Sequence, residues 1–259
     1  MFHLSDLKKL GRRRTGFEEE AKLCEDLDFA ATEAYKLLRT NLLFMLPDSE
    51  KCHVIGITSS VRGEGKSTTS INLAYALAAM NKRVLLVDAD LRLPTIGKKL
   101  KIASTTGLSN VLLNPGLLGE ALHAMPNSNH FHILNAGRIP PNPTELLGSP
   151  QMTKLLQFLS GKYDFIILDL PPVNIVSDAL VVSPNLDGMM VVVRQDHSKR
   201  REVSHCERQL AMSGVRILGL VMTDIGGAGS FYKYKYRYHY KYKKYYKESY
   251  GHSEEEGSV

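Results

Sequence analysis

Between His53 and Ala78 the chain reads HVIGITSSVRGEGKSTTSINLAYALA, and this stretch restricts the fold more than any other. A short apolar run comes first. A loop with Gly63 and Gly65 follows, then a run with apolar residues at helical spacing. Glycine lets a backbone come close to an anion. The amides of such a loop and of the helix after it then point at that anion. Lys66 is placed to reach the β- and γ-phosphates, and Ser67 to offer its hydroxyl to Mg²⁺. The expected ligand of Ser60–Ser67 is a magnesium-bound nucleoside triphosphate, ATP foremost. A glycine-rich turn without function would need neither the strand before it nor the helix after it. The usual pattern G-x-x-x-x-G-K-[ST] is met except at its first glycine, which is Ser60 here.

Strand-like and helix-like segments alternate after this point. Strands are predicted at His53–Thr58, Val84–Val87, Phe131–Asn135, Phe165–Leu168, Gly188–Val193 and Ile217–Val221. Helices are predicted at Lys66–Met80, Leu108–Leu113, Leu117–Ala124, Gln151–Leu159 and Lys199–Met212. An earlier helix is predicted from Asp28 to Met45, with Phe29, Ala30, Ala34, Leu37, Leu38 and Leu42 at three- and four-residue steps and Pro47 ending it. Continuous β-branched strands interleaved with helices point to an α/β fold, a mostly parallel sheet covered by helices on both faces. The expected organisation is an N-terminal arm (1–27), a P-loop domain (28–225) and a flexible tyrosine- and lysine-rich tail (226–259) that begins with Gly226, Gly227 and Gly229.

Length and charge narrow the function. With 259 residues, one substantial domain is favoured over two. No stretch approaches the ~18 apolar residues of a membrane span, and the first twenty residues lack the apolar block of a signal peptide. The expected location is the cytoplasm. Cys24, Cys52 and Cys206 lie far apart and read as reduced structural thiols. Of the net charge of +6, half belongs to the residues from 231 onward. The remaining body is close to balanced, so no nucleic-acid-binding face is expected.

A phosphate loop needs acidic residues to hold the metal and its waters. Two apolar strands supply them at their C-terminal ends, where open α/β sheets bind ligands. VLLVDADLR brings Asp88, Asp90 and Arg92, and FIILDLPP brings Asp169. One aspartate after a strand is commonly a helix or turn cap. Three on two strands of a nucleotide fold are more than capping requires.

SSVRGEGKSTT, LLVDADLR and FIILDLPP together resemble the Walker A, A′ and B motifs of the bacterial tyrosine kinases, over roughly residues 28–225 and the tail. The paired aspartates of D-x-D-x-R are the most specific of these. Related partitioning and division-site ATPases, the alternative reading, carry a second lysine near the start of the loop, where Val61 stands here. Arg62 stands where the kinases often have proline, and PPNPTELL (Pro140–Leu147) is also similar to the family.

The resemblance implies an ATP- and Mg²⁺-dependent protein-tyrosine autokinase. Gly63, Glu64, Gly65, Lys66, Ser67 and Thr68 would bind the nucleotide. Ser67 would ligate Mg²⁺, with Asp88 and Asp169 acting through its water shell. Asp90, or in competition Asp88, would take the tyrosine proton, and Arg92 would steady the phosphates or the aspartates. Glu33, Lys36 and Arg39 resemble the family's oligomerisation motif E-x-x-[RK]-x-x-R, although the same spacing suits an ordinary solvated helix face. The family further implies a homo-oligomeric ring, a transmembrane adaptor that recruits and activates the kinase at the inner face of the membrane, a phosphotyrosine phosphatase, and control of capsular or exopolysaccharide synthesis and export.

Nine of the twelve tyrosines lie in the tail: Tyr232, Tyr234, Tyr236, Tyr238, Tyr240, Tyr242, Tyr245, Tyr246 and Tyr250. The first six alternate with Lys, Arg or His. Such a segment can accept phosphate, bind a polyanion by stacking and charge, or lie on a membrane surface. The resemblance favours the first. Each phosphotyrosine adds roughly −1.5 to −2 charges, so about three or four of them would cancel the +6 of residues 231–250.

Overall fold

The computed structural model describes residues 25–47, 51–126, 128 and 130–224. The arm before residue 25, Cys24 and the tail tyrosines lie outside these residues.

Helix α1 (Phe29–Met45) opens the described chain. Asp28 caps it, its carboxylate accepting from Ala31 N at 2.8 Å. The parallel strands are β1 (His53–Ser59), β2 (Val84–Asp88), β4 (Phe131–Leu134), β5 (Phe165–Asp169), β6 (Gly188–Arg194) and β7 (Ile217–Thr223). With the short β3 (Leu122–Ala124) they form a seven-stranded sheet in the order β3-β4-β2-β5-β1-β6-β7. The helices after α1 are α2 (Lys66–Ala78), α3 (Ile96–Lys99), α4 (Leu108–Leu113), α5 (Leu118–Ala121), α6 (Pro143–Leu147), α7 (Pro150–Ser160), α8 (Asp178–Val182) and α9 (Arg200–Met212).

The central strands are buried on both faces, which is why they read as continuous apolar runs rather than alternating ones. On one face Ile55, Ile57, Leu86 and Ile167 pack with Leu42 of α1, Ile71 and Leu77 of α2, and Ile96 of α3. On the other, Leu85, Val87, Ile166 and Val191 pack with Val111 of α4, Leu155 and Leu159 of α7, Val182 of α8 and Leu210 of α9. Each such side chain, buried completely, contributes roughly 1.5–3 kcal/mol. The helices thus form two outer layers, and the expected α/β fold is the one observed.

One expectation needs correction. Leu117–Ala124 is not one helix: α5 ends at Ala121, and Leu122–Ala124 pairs antiparallel with β4. The segment after α5 can use its backbone groups on an open sheet edge, and β4 supplies that edge. The helix expected from Asp28 to Met45 forms as α1, with Leu42 buried and Phe29 and Leu37, as well as Phe44, 72%, 60% and 84% exposed. Cys52 and Cys206 are free thiols, and burial raises their pKa values to about 11 and about 12, so both stay protonated.

Candidate functional site

The site is built on the C-terminal ends of β1, β2 and β5, neighbours at the centre of the sheet. From β1 the chain enters the phosphate loop. Gly63 and Gly65 take φ values of +80° and +92°, in the left-handed region where a side chain is strained. Gly65 is the N-cap of α2, and no side chain caps that helix end. The helix amides at Lys66, Ser67 and Thr68 are therefore free of a competing side-chain acceptor, the arrangement an anion uses.

Ser60 breaks the glycine pattern without strain, because it is not among the positive-φ residues. Its hydroxyl donates to Glu64 Oε1 at 2.9 Å. Glu64 is completely buried and also accepts from Val61 N at 2.9 Å and from the Ser198 hydroxyl. The loop backbone is gripped from the β6 and β7 ends as well. Thr223 Oγ1 donates to Glu64 O at 2.8 Å, Arg194 Nη1 reaches Gly63 O at 3.3 Å, and His197 Nε2 lies 2.9 Å from Arg62 O. The Glu64 side chain therefore braces the loop.

Asp88 and Asp169 end β2 and β5 and stand opposite each other in the parallel register. Both are fully buried. Asp88 Oδ2 accepts from Ile96 N at 3.0 Å and so caps α3, while Asp169 Oδ1 accepts from Ser70 Oγ at 3.0 Å. Asp88 Oδ1 and Asp169 Oδ2 are buried without a hydrogen-bond partner. Burial, then the Asp169 charge, raises the Asp88 pKa well above the carboxylate range. Burial raises Asp169 to about 6, against the charge of Lys66 and bonds from Ser67 and Ser70. Two facing carboxylates, each with an idle oxygen, are costly unless positive charge arrives. The Ser67 hydroxyl beside them receives a bond from Thr95 Oγ1 at 2.7 Å. A hard divalent ion fits this oxygen set, and Mg²⁺ usually takes only one or two carboxylates besides phosphate oxygens and waters.

Asp90 is half-buried, and its Oδ1 accepts from Leu93 N at 3.0 Å. Burial raises its pKa and Lys66 opposes that rise, so the lysine acts on the aspartates of both strands. Arg92 does not ion-pair with Asp88, Asp90 or Asp169. Its Nε and Nη2 grip Asp178 at 2.8 and 3.1 Å, and Nη2 also donates to Thr144 Oγ1 at 2.8 Å. Thr144 lies in PPNPTELL, which the sequence marks without giving that residue a role, and Asp178 lies in no marked segment. Neither pairing with Arg92 has a local signal, since Asp178 and Thr144 lie 86 and 52 residues from it.

On α1, Lys36 Nζ pairs with Glu33 at 2.7 Å on an exposed face. Arg39 Nη1 instead donates to Ala76 O at 2.8 Å, in the last turn of α2. There a cation satisfies an orphan carbonyl and complements the helix dipole. The fold thus uses Arg39 to dock α1 on α2, apart from the surface pair Glu33–Lys36.

The AAA-domain family AAA_31 matches residues 52–198. The tyrosine-protein kinase YwqD of Bacillus subtilis is 38% identical over 74% of this chain and 80% of its own length. The tyrosine-protein kinase CpsD of Streptococcus agalactiae is 32% identical over 77% of this chain and 86% of its own length. Among solved structures, the kinase domain of the Escherichia coli tyrosine kinase ETK superposes with a TM-score of 0.77, at 29% identity and 89% coverage of each chain. The septum site-determining protein MinD of Pyrococcus horikoshii OT3, complexed with Mg-ADP, gives a TM-score of 0.57 at 26% identity, over 68% of this chain and 71% of its own.

Proposed function

This chain belongs to the AAA-domain family and, within it, to the bacterial tyrosine kinases, and we propose that it uses Mg-ATP to phosphorylate the tyrosines that follow Thr223. It is a protein-tyrosine kinase by kinship. The nucleotide, the site residues and the acceptor form the proposal. The observation that carries it is the facing pair Asp88–Asp169, each with a buried idle oxygen beside Lys66 and Ser67.

In this reading the amides of Gly63–Thr68 and the Lys66 ammonium hold the β- and γ-phosphates. Ser67 would hold Mg²⁺, with Asp88 and Asp169 supporting it. The ion would supply charge neutralisation for the phosphates. Asp90 accepts the proton of the attacking tyrosine hydroxyl. The phenolic oxygen bonds to the γ-phosphorus, the bond from that phosphorus to the β–γ bridging oxygen breaks, and ADP leaves. Phosphoryl transfer needs positioning and charge neutralisation above all, and fixed strand ends supply both.

The acceptors are Tyr232, Tyr234, Tyr236, Tyr238, Tyr240, Tyr242, Tyr245, Tyr246 and Tyr250. Their phosphorylation turns a basic segment acidic and releases an anionic or acidic partner. Residues 231–250 extend at most ~66–72 Å, a reach that suits a chain's own site and a neighbour's equally. Transfer in trans within a ring follows the family's arrangement. So do docking on a transmembrane adaptor, reversal by a phosphotyrosine phosphatase, and control of capsular or exopolysaccharide export. No helix among the described residues is long and apolar enough to cross a membrane, which agrees with recruitment by a separate adaptor. Incubation with γ-labelled ATP, with and without such an adaptor, tests the reading. Label on tail tyrosines is the expected result, and release of free phosphate alone would place the chain with the cargo-positioning ATPases.

A further inference from the structure

The segment PPNPTELL has no role in the chemistry above, and neither does the start of α8. The structure ties both to the loop after β2 that carries the proposed base. Arg92, Thr144 and Asp178 form a closed ring. Arg92 binds Asp178 through two nitrogens at 2.8 and 3.1 Å, Arg92 Nη2 donates to Thr144 Oγ1 at 2.8 Å, and Thr144 Oγ1 donates to Asp178 Oδ1 at 2.5 Å. The Asp178 side chain is 0% exposed and that of Arg92 is 38% exposed. The ring therefore has a buried anchor and an outer lip.

Three separate parts of the chain meet here: the loop after β2, helix α6 within PPNPTELL, and helix α8 after β5. Helices α6 and α8 also pack directly. From the ring the connection back to the site is short. Arg92 lies two residues after Asp90, and the turn between them is closed by Leu93 N donating to Asp90 Oδ1 at 3.0 Å. Side-chain orientation at Asp90 thus depends on a turn whose next residue is clamped from two other elements. A planar guanidinium bound through two nitrogens fixes direction as well as distance, which an ammonium does not.

We propose that Thr144 and Asp178 are positioning residues for phosphoryl transfer: they hold Arg92, and through the Asp90–Leu93 turn they hold the Asp90 carboxylate at the attacking hydroxyl. The proposal rests on the reading of Asp90 as proton acceptor. It assigns Thr144 of PPNPTELL a hydroxyl-specific task rather than a helix-forming one. A displacement of about 1 Å at a reacting group costs on the order of 100-fold in rate.

The test is steady-state phosphorylation by the full chain, with ATP and the chain's own tail as substrates. Thr144→Val, Thr144→Ser, Arg92→Lys and Asp178→Asn are compared with Asp90→Asn. We expect Thr144→Val and Arg92→Lys to lower kcat about 10- to 100-fold with KM for ATP within about twofold of the wild type, and Thr144→Ser to restore kcat. Asp178→Asn is expected to act in the same direction. Because burial makes it the variant most prone to misfold, the Thr144 and Arg92 variants decide the outcome. Wild-type kcat in Thr144→Val and Arg92→Lys, with Asp90→Asn inactive, would overturn the positioning role and leave the base assignment standing. An active Asp90→Asn would overturn the base assignment, and the proposal with it.

Discussion

Strands β2 and β5 lie side by side, and their two ends obey opposite rules. At the N-terminal end, Arg83 and Asp164 are fully matched. Arg83 Nη2 and Nε reach Asp164 Oδ1 at 2.5 and 3.2 Å, and Arg83 N donates to Oδ2 at 2.8 Å. Asp164 N returns a bond to Arg83 O at 2.8 Å. At the C-terminal end, five residues further along each strand, Asp88 faces Asp169. There like charges meet, burial is complete, and an oxygen of each is idle. A protein under selection for stability alone would treat both ends as it treats the first. One end thus closes the sheet with matched charge, while the other leaves buried carboxylate oxygens unmatched, the pattern in which binding sites depart from what stability favours.

The largest effect is expected from removing the positive charge that Lys66 supplies at the C-terminal end. Lys66→Met is expected to reduce tyrosine phosphorylation by about 100-fold or more, as loss of a transition-state charge partner does, while circular dichroism stays native. Retained phosphorylation would show that the C-terminal end does not hold the phosphates.

The second effect concerns stability. Burial lifts the Asp169 pKa from 3.8 to about 6, so the folded state binds more protons than the unfolded state between those values. Its contribution is fully present below about pH 4 and is lost as pH rises toward and past 6. Asp169→Asn should therefore stabilise the nucleotide-free protein at pH 8, by on the order of 1–3 kcal/mol, with the gain shrinking toward pH 4. It should also abolish phosphorylation. Urea denaturation across that pH range measures the gain, and a loss of stability at pH 8 would contradict the idle-carboxylate reading.

The smallest effect lies at the opposite end. Arg83 is 56% exposed and Asp164 32%, so solvent screens their pair. Arg83→Ala should cost about 0.2–1 kcal/mol and leave the phosphorylation rate unchanged. A large rate effect would mean that the two strand ends communicate.

Much of the fold is legible in the sequence. The strands stand out because burial on both faces removes the polar residues from a segment, a local signal. The P-loop stands out because glycine, lysine and serine occupy adjacent positions between a strand and a helix. Strand β3 does not: three residues, LHA, carry no period of their own and become a strand only because β4 offers an edge. The stripe on α1 correctly marks a helix, but spacing does not say what covers that face. Phe29, Leu37 and Phe44 are exposed among the described residues.

A P-loop at the mouth of a parallel sheet, with aspartates at neighbouring strand ends, is legible in the order of residues alone. Each of those signals is confined to a few consecutive residues whose side chains serve one local purpose. What each charge faces depends on the folded chain. It set Asp88 against Asp169, turned Glu64 inward onto Ser60 and Ser198, sent Arg39 to the end of α2, and gave Arg92 to Asp178 and Thr144. An aspartate or arginine reads the same in any sequence, and its role is set by desolvation and by partners that the fold brings from tens of residues away.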